Sequence, residues 1–444
     1  MHHIRCNSQI GIESVKMMER IDIILFGVTG FTGKHTLDYL HKFASAKDLT
    51  WGVAGRNKTK IVSILAALEQ KTGDTRISSV PIIIADVSDD QSIQNMVWKA
   101  RLIINCCGPY RFIGETVVKA CVEAGTHHID VSGELYYMEK MELDYHKDAE
   151  EKNIYIVSAC GFNSIPCDMG VLFLQKNFKG TLNSIESFLK FGSDSKSESG
   201  SAINNGSWES VVNGLAYAKD LTPIRSKLFA NKLPKMKPLL HSSLIPFRNP
   251  VGDGWAVLFP GADRSVVLRT QRHLYVHNKL RPVQVQTYFI IQKFWSLILL
   301  TLFGALFYIM TQIECGRRLL LKYPRIFSAG FVDTQEPSEE MINKSWFSIT
   351  LIGKGWREKF SEPDEQFKEP PNKGIMVEVK GTNPGYGATC ICLVLAGIVI
   401  LTETSKMPGK GGVLTPGAAF RNTSLLDQLH ENGETFNLIK EFDV

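Results

Sequence analysis

Gly27, Gly30 and Gly33 recur in Gly-Val-Thr-Gly-Phe-Thr-Gly, directly after the apolar run 21–26 and directly before a helical pattern from Lys34. Strand, tight glycine turn and helix in that order make a phosphate-binding device. Gly27 permits the turn, Gly30 lets backbone approach a pyrophosphate, and Gly33 allows close packing of helix on strand. The helix start then offers free N–H groups and the positive end of a dipole. Thr29, Phe31 and Thr32 complete this candidate cofactor-binding turn. The spacing is G-x-x-G-x-x-G, not G-x-G-x-x-G, so an ordinary glycine turn is the competing reading of this stretch alone.

The next polar residues fall where such a device needs them. The second apolar run ends Gly55-Arg56-Asn57-Lys58. An NAD site places Asp or Glu here for the ribose 2′-OH, whereas a guanidinium accepts a 2′-phosphate. Arg56 therefore argues for NADP, with Asn57 and Lys58 as helpers. Asp86 closes the third run and suits either an adenine-edge contact or a helix cap. The fourth run ends Cys107-Gly108-Pro109-Tyr110. There Gly108 would let backbone pass the nicotinamide ribose and Tyr110 would line the pocket. Asp130, Ser132, Glu134, Asn163 and Ser164 follow later runs and are expected to point into the same cleft. Tyr110 or a polar side chain of 130–134 is the candidate proton source, and no catalytic residue is singled out. Asp168 reads as the N-cap of a helix over 169–177. His127, His128 and Asp130 lack a third ligand at a recognisable spacing, so no metal site is expected.

These residues need a scaffold that aligns strand ends. Apolar runs at 21–26, 50–54, 80–85, 102–106, 128–131 and 154–158 alternate with helical patterns at 34–43, 59–71, 89–99, 114–124 and 139–152. Such alternation predicts an α/β fold: a Rossmann-type parallel sheet covered on both faces, with ligands beyond the strands' carboxyl ends. The chain has 444 residues, 44% hydrophobic and 21% charged, with a net charge of +5. Nothing in that balance points to nucleic acid. Nine cysteines without a C-x-x-C pair read as buried thiols of a reducing compartment.

Taken together, G-V-T-G-F-T-G, A-G-R-N, N-C-C-G-P-Y, H-H-I-D-V-S-G-E and G-F-N-S-I-P-C-D resemble the saccharopine dehydrogenase NADP-binding superfamily, closest to its animal saccharopine dehydrogenase-like branch. The resemblance covers most of 21–175 and resumes at 385–389 and 411–420. It implies an NADP-binding oxidoreductase fold in two domains. Bacterial members include trans-acting enoyl reductases of glycolipid biosynthesis. The arginine-rich amino-acid site of saccharopine enzymes proper has no recognisable counterpart here.

From about Leu182 the alternation stops. Runs at 185–191, 255–258, 265–270, 283–291, 345–352 and 375–380 predict an antiparallel sheet in an α+β second domain. A helix is expected over 205–218 with Ser207 as its cap. Residues 219–248 read as a basic loop, 361–373 as a charged loop, and 424–431 and the final residues as a helix and a strand. The expected units are 1–18 as an extension, 19–178 with 382–444 as the Rossmann NADP-binding domain, and 179–381 as the second domain.

Residues 294–313 carry no charge, between Lys293 and Arg317, Arg318, Lys322 and Arg325. A helix of that length reaches about 30 Å, enough to cross a hydrocarbon core. Crossing would separate the flanks of one domain, so a helix dipping into one leaflet or a lipid droplet monolayer is the better fit. A homodimer or core helix is the other reading. The shorter run 388–401 suits packing on the nucleotide domain. The expected function is thus an NADP(H)-dependent oxidoreductase acting on a lipid or acyl substrate at a membrane or lipid droplet surface. The expected location is the cytoplasmic face of membranes or a lipid droplet, with the mitochondrion as another. A non-catalytic nucleotide-binding scaffold and saccharopine dehydrogenase proper are the alternatives.

Overall fold

The computed structural model describes residues 20–194, 205–328, 332 and 339–444. The expected 1–18 extension lies outside them. The strands are, in chain order, β1 (Ile21–Phe26), β2 (Trp51–Gly55), β3 (Ile82–Ile84), β4 (Ala100–Asn105), β5 (His127–Asp130), β6 (Tyr155–Val157), β7 (Thr181–Ser193), β8 (Phe247–Arg248), β9 (Trp255–Leu258), β10 (Gln284–Ile291), β11 (Ser345–Trp356), β12 (Lys373–Thr382), β13 (Gly412–Leu414) and β14 (Thr435–Asp443).

The first sheet has the order β13-β6-β5-β4-β1-β2-β3 and every pair in it is parallel. The order reverses between β1 and β4, so a crevice opens beyond their carboxyl ends. Both faces of this sheet are covered, which is why its central strands are apolar without alternation: Ile23, Ile24 and Leu25 are all fully buried. Helix Thr389–Thr402, the second long apolar run, packs on β4 and β5 beside helix Phe31–Ser45. Gly397 permits that contact, since a Cβ there would lie 2.8 Å from Leu102 and 3.0 Å from Ile129.

The second sheet has the order β14-β12-β11-β7-β10-β9-β8. It is mixed, not wholly antiparallel as expected: β7 and β10 run parallel. The intervening chain, two helices, the β8–β9 hairpin and helix Asp263–Asn278, forms the long crossover that a parallel pair requires. Residues 265–270 lie in that last helix instead of a strand. Its buried Val266, Val267, Thr270, Gln271 and Leu274 show the helical period that a six-residue apolar run is too short to reveal. The basic segment 219–248 is likewise not all loop, since it holds helix Leu221–Leu228 and β8. Ser207 lies inside helix Asn205–Ala216 instead of capping it. Residues 382–444 do not fall wholly in the first unit: β13 joins the first sheet and β14 the second.

Helix Phe294–Gln312 stands apart. Leu297 and Thr311 near its two ends are buried, while Trp295, Leu299, Leu302, Phe303, Leu306 and Ile309 are half or more exposed. It follows β10 directly, and the chain returns through helix Glu314–Lys322 to β11 of the same sheet.

Candidate functional site

β1 delivers the chain to Gly27 at the switch point. Gly27 has φ +85°, and a Cβ there would meet Cys107 Sγ at 2.6 Å. A Cβ on Gly33 would lie 2.2 Å from the Gly27 carbonyl oxygen, so only glycine lets the helix start this close to the turn. Gly30 donates its N–H to that same oxygen at 2.9 Å. Thr29 and Gly30 are exposed, and helix Phe31–Ser45 begins at Gly30 with no side chain capping it. An uncapped, exposed N-terminus behind a glycine turn is an anion cradle. Phe31 and Thr32 form its first turn, and Phe31 packs edge-on against Tyr386, ring centroids 4.4 Å apart.

Arg56 stands exposed at the end of β2 and makes no ion pair among the described residues. Asn57 caps helix Lys58–Thr72 through its Oδ1, which accepts from Lys60 N at 3.0 Å. Asp86 accepts from Ser88 N and Ser88 Oγ, which with nearby Arg56 holds its carboxyl below the usual range. The helix beyond is capped by Asp89, not Asp86. Gly108 is exposed beside Cys107 on the far side of the turn.

Tyr110 is 7% exposed, and its hydroxyl donates to the Asn105 carbonyl at 2.9 Å. It is a strut within the wall. Asp130 is fully buried and accepts from Ser132 N, Tyr137 OH and Ser158 Oγ at 2.8–2.9 Å. Burial raises it to about 6. Ser132 Oγ accepts from Glu134 N, and Glu134 in turn accepts from Tyr110 N, Arg111 N and Ser210 Oγ. These hydrogen bonds fasten the strand ends to one another. His128 is likewise structural: its Nε2 lies 3.3 Å from Asn105 Nδ2, and burial pushes it down to about 3. His127 Nδ1 accepts from Tyr155 N.

Asn163, expected from the sequence to point into the cleft, has an unusual backbone. Its φ of +75° and ψ of −65° are strained for a residue other than glycine, and its buried Oδ1 has no partner. Such strain concentrates at functional sites. It stands at the head of helix Ser164–Asn177, whose Ser164 is buried. Asp168 is inside this helix, not its N-cap. Its Oδ2 accepts from Thr270 Oγ1 and Gly417 N, each at 2.7 Å. The late glycine motif thus has a local cause, because a Cβ on Gly417 would strike that carboxylate at 2.6 Å. Thr389 and Tyr386, from the returning segment, also reach this end of the sheet: Thr389 Oγ1 accepts from Phe162 N. Sequence distance hid these partners.

Asp263 lies beside Asp168 at the junction of the two sheets. Burial, with Asp168 adding to it, raises it from 3.8 to about 7. Its folded value exceeds its unfolded one, so this group favours folding most below about pH 4 and loses that contribution as pH rises to about 7. Asp263→Asn keeps the shape without titrating. It is expected to gain stability relative to wild type between about pH 4.5 and about pH 8. Denaturant midpoints at both values check this, and an unchanged difference contradicts it.

The comparisons with known proteins agree with this geometry. The family described as Saccharopine dehydrogenase NADP binding domain matches residues 23–157, the segment from β1 to β6. A Rattus norvegicus protein named "Saccharopine dehydrogenase-like oxidoreductase" is 38% identical over 433 residues, covering 95% of this chain and 98% of that one. A Caenorhabditis elegans protein named "Lipid droplet localized protein" is 35% identical over 436 residues, covering 96% and 100%. An Arabidopsis thaliana protein, 34% identical over 95% of this chain and 96% of its own, is named as a probable mitochondrial saccharopine dehydrogenase-like oxidoreductase. The cradle fits a dinucleotide, as the turn that Gly27 and Gly33 alone permit shows. The chain belongs to the saccharopine dehydrogenase-like oxidoreductases, and NADP is the cofactor of its first domain.

Proposed function

We propose that this protein reduces a lipid or acyl substrate with NADPH while seated on a membrane or lipid droplet surface. The observation that carries this reading is the exposed, charge-free helix Phe294–Gln312 on a chain with an open phosphate cradle. A helix apolar all round is stable in hydrocarbon or under another protein surface, not in water. Lys293 precedes it and Arg318, Lys322 and Arg325 follow it, all exposed, which suits anionic headgroups at both ends. Both ends lead into one sheet, so the helix enters a single leaflet or monolayer and leaves the domain on one side. The name of the nematode relative supports a droplet surface.

The helix start at Gly30 and Arg56 would hold the phosphates, and Gly108 would leave room for the nicotinamide end. When bound, NADPH supplies a hydride to a polarised C=C or C=O bond, and a proton completes the reduction. Tyr110, Asp130 and Glu134 hold the walls in place, with their hydrogen bonds already committed. The proton therefore comes from water admitted at the exposed rim of Thr29, Gly30, Gly108 and Gly133. The same committed acids are what favours the second reading, a nucleotide-binding scaffold without turnover.

The test is the full-length protein with NADPH and vesicles carrying enoyl or keto lipids, followed by loss of NADPH absorbance. Consumption that depends on the embedded lipid is expected. Binding of NADPH without consumption across the panel would establish the scaffold instead.

A further inference from the structure

Helix Asn205–Ala216 touches both the apolar helix and the wall of the cofactor crevice. On one side the Trp208 ring packs on Phe307 of the apolar helix, centroids 5.0 Å apart, and Trp208 Nε1 donates to the Leu320 carbonyl at 2.9 Å. Gln312, the last residue of the apolar helix, donates to the Leu215 carbonyl at 3.2 Å. On the other side Ser210 Oγ donates to Glu134 Oε1 at 3.0 Å. Glu134 is 7% exposed and accepts two consecutive amides, Tyr110 N at 3.0 Å and Arg111 N at 2.9 Å. Those amides open helix Tyr110–Ala124, directly after Gly108 at the switch point. A second line runs parallel to the first. Tyr217 lies under Arg317, 5.5 Å from its ring centre, and under Arg111, 4.5 Å from it.

We propose that helix Asn205–Ala216 couples lipid contact to cofactor binding, with Ser210 and Glu134 as positioning residues. This rests on the reading that helix Phe294–Gln312 inserts into lipid. The physical basis is a difference between two states. In lipid the exposed face of the apolar helix is solvated, and the helix holds Trp208 and Leu215 in place, which keeps Ser210 on Glu134. In water the same helix is poorly solvated, and its attachment to Asn205–Ala216 competes with any arrangement that hides apolar area. Each position of Ser210 changes how firmly Glu134 holds the amides beside the nicotinamide end. Linkage makes the effect reciprocal.

The experiment measures NADPH affinity of the full-length protein by fluorescence, with and without vesicles of mixed phosphatidylcholine and phosphatidylserine. Vesicle binding itself is measured by flotation. Vesicles are expected to tighten NADPH binding by about five-fold or more, and saturating NADPH to tighten vesicle binding by the same factor. Ser210→Ala should float with vesicles as wild type does, yet show less than about a two-fold shift, and Ser210→Thr should restore it. Vesicle binding with unchanged NADPH affinity overturns the coupling and leaves the lipid reading intact. A full shift in Ser210→Ala overturns the route through Glu134. Absence of vesicle binding overturns both.

Discussion

Leu302→Asp combined with Leu306→Asp is expected to release the protein from lipid vesicles, weakening partition at least 100-fold. The two positions are one turn apart on helix Phe294–Gln312 and are 65% and 51% exposed. Neither supports the core, so the fold is expected to survive. An aspartate in the middle of a lipid-embedded helix costs about 3 kcal/mol on insertion scales, so two exceed the 2.7 kcal/mol or so that 100-fold requires. The attraction they oppose is large. Each half-exposed Leu, Phe or Ile on this helix recovers about 1 kcal/mol on transfer from water. Flotation with matched circular dichroism checks the result. Unchanged flotation would show that another surface meets the lipid. A variant that floats as before but changes from dimer to monomer would assign the helix to a contact between two copies.

Arg56→Glu is expected to weaken NADPH binding about 100-fold while changing NADH binding less than about three-fold. The guanidinium is exposed and makes no ion pair among the described residues. Charge-assisted hydrogen bonds to a phosphate contribute about 1.5–3 kcal/mol. Reversal adds repulsion to that loss, with Asp86 contributing a second negative charge nearby. NADH has no 2′-phosphate and meets a carboxylate of the kind that takes a ribose hydroxyl. Equal losses for both nucleotides would mean that Arg56 acts on the turn itself.

Much of the first domain was legible because its physics is local. Residues 23–26 are buried on both faces, and Gly27 and Gly33 after them occupy positions where a Cβ has no room. The apolar helix was equally plain, since twenty residues without charge need no partner to be recognised. Side-chain roles were harder to read. Asn57 and Asp168 have the residue type of a ligand or a cap, and a local contact decides the first while distant contacts decide the second. Asn57 became a cap. Asp168 became a buried acceptor for Thr270 and Gly417, residues far away in the chain. Tyr110 looked like a pocket residue because it follows a strand end, yet its hydroxyl turns back to Asn105. Helix Asp263–Asn278 is hidden in the sequence because a short run such as Ser-Val-Val-Leu-Arg-Thr satisfies either period. The parallel pairing of β7 with β10 depends on a crossover of many elements that no local pattern encodes.

The role proposed for the exposed Arg56, beside the Gly27, Gly30 and Gly33 turn, is to select NADP over NAD. Titrating the full-length wild-type protein and Arg56→Glu with NADPH and NADH tests it most directly. Wild type should bind NADPH at least about ten-fold more tightly than NADH, a difference of about 1.4 kcal/mol, and Arg56→Glu should erase that preference. Equal affinity of wild type for the two nucleotides, or a preference that survives in Arg56→Glu, would contradict it.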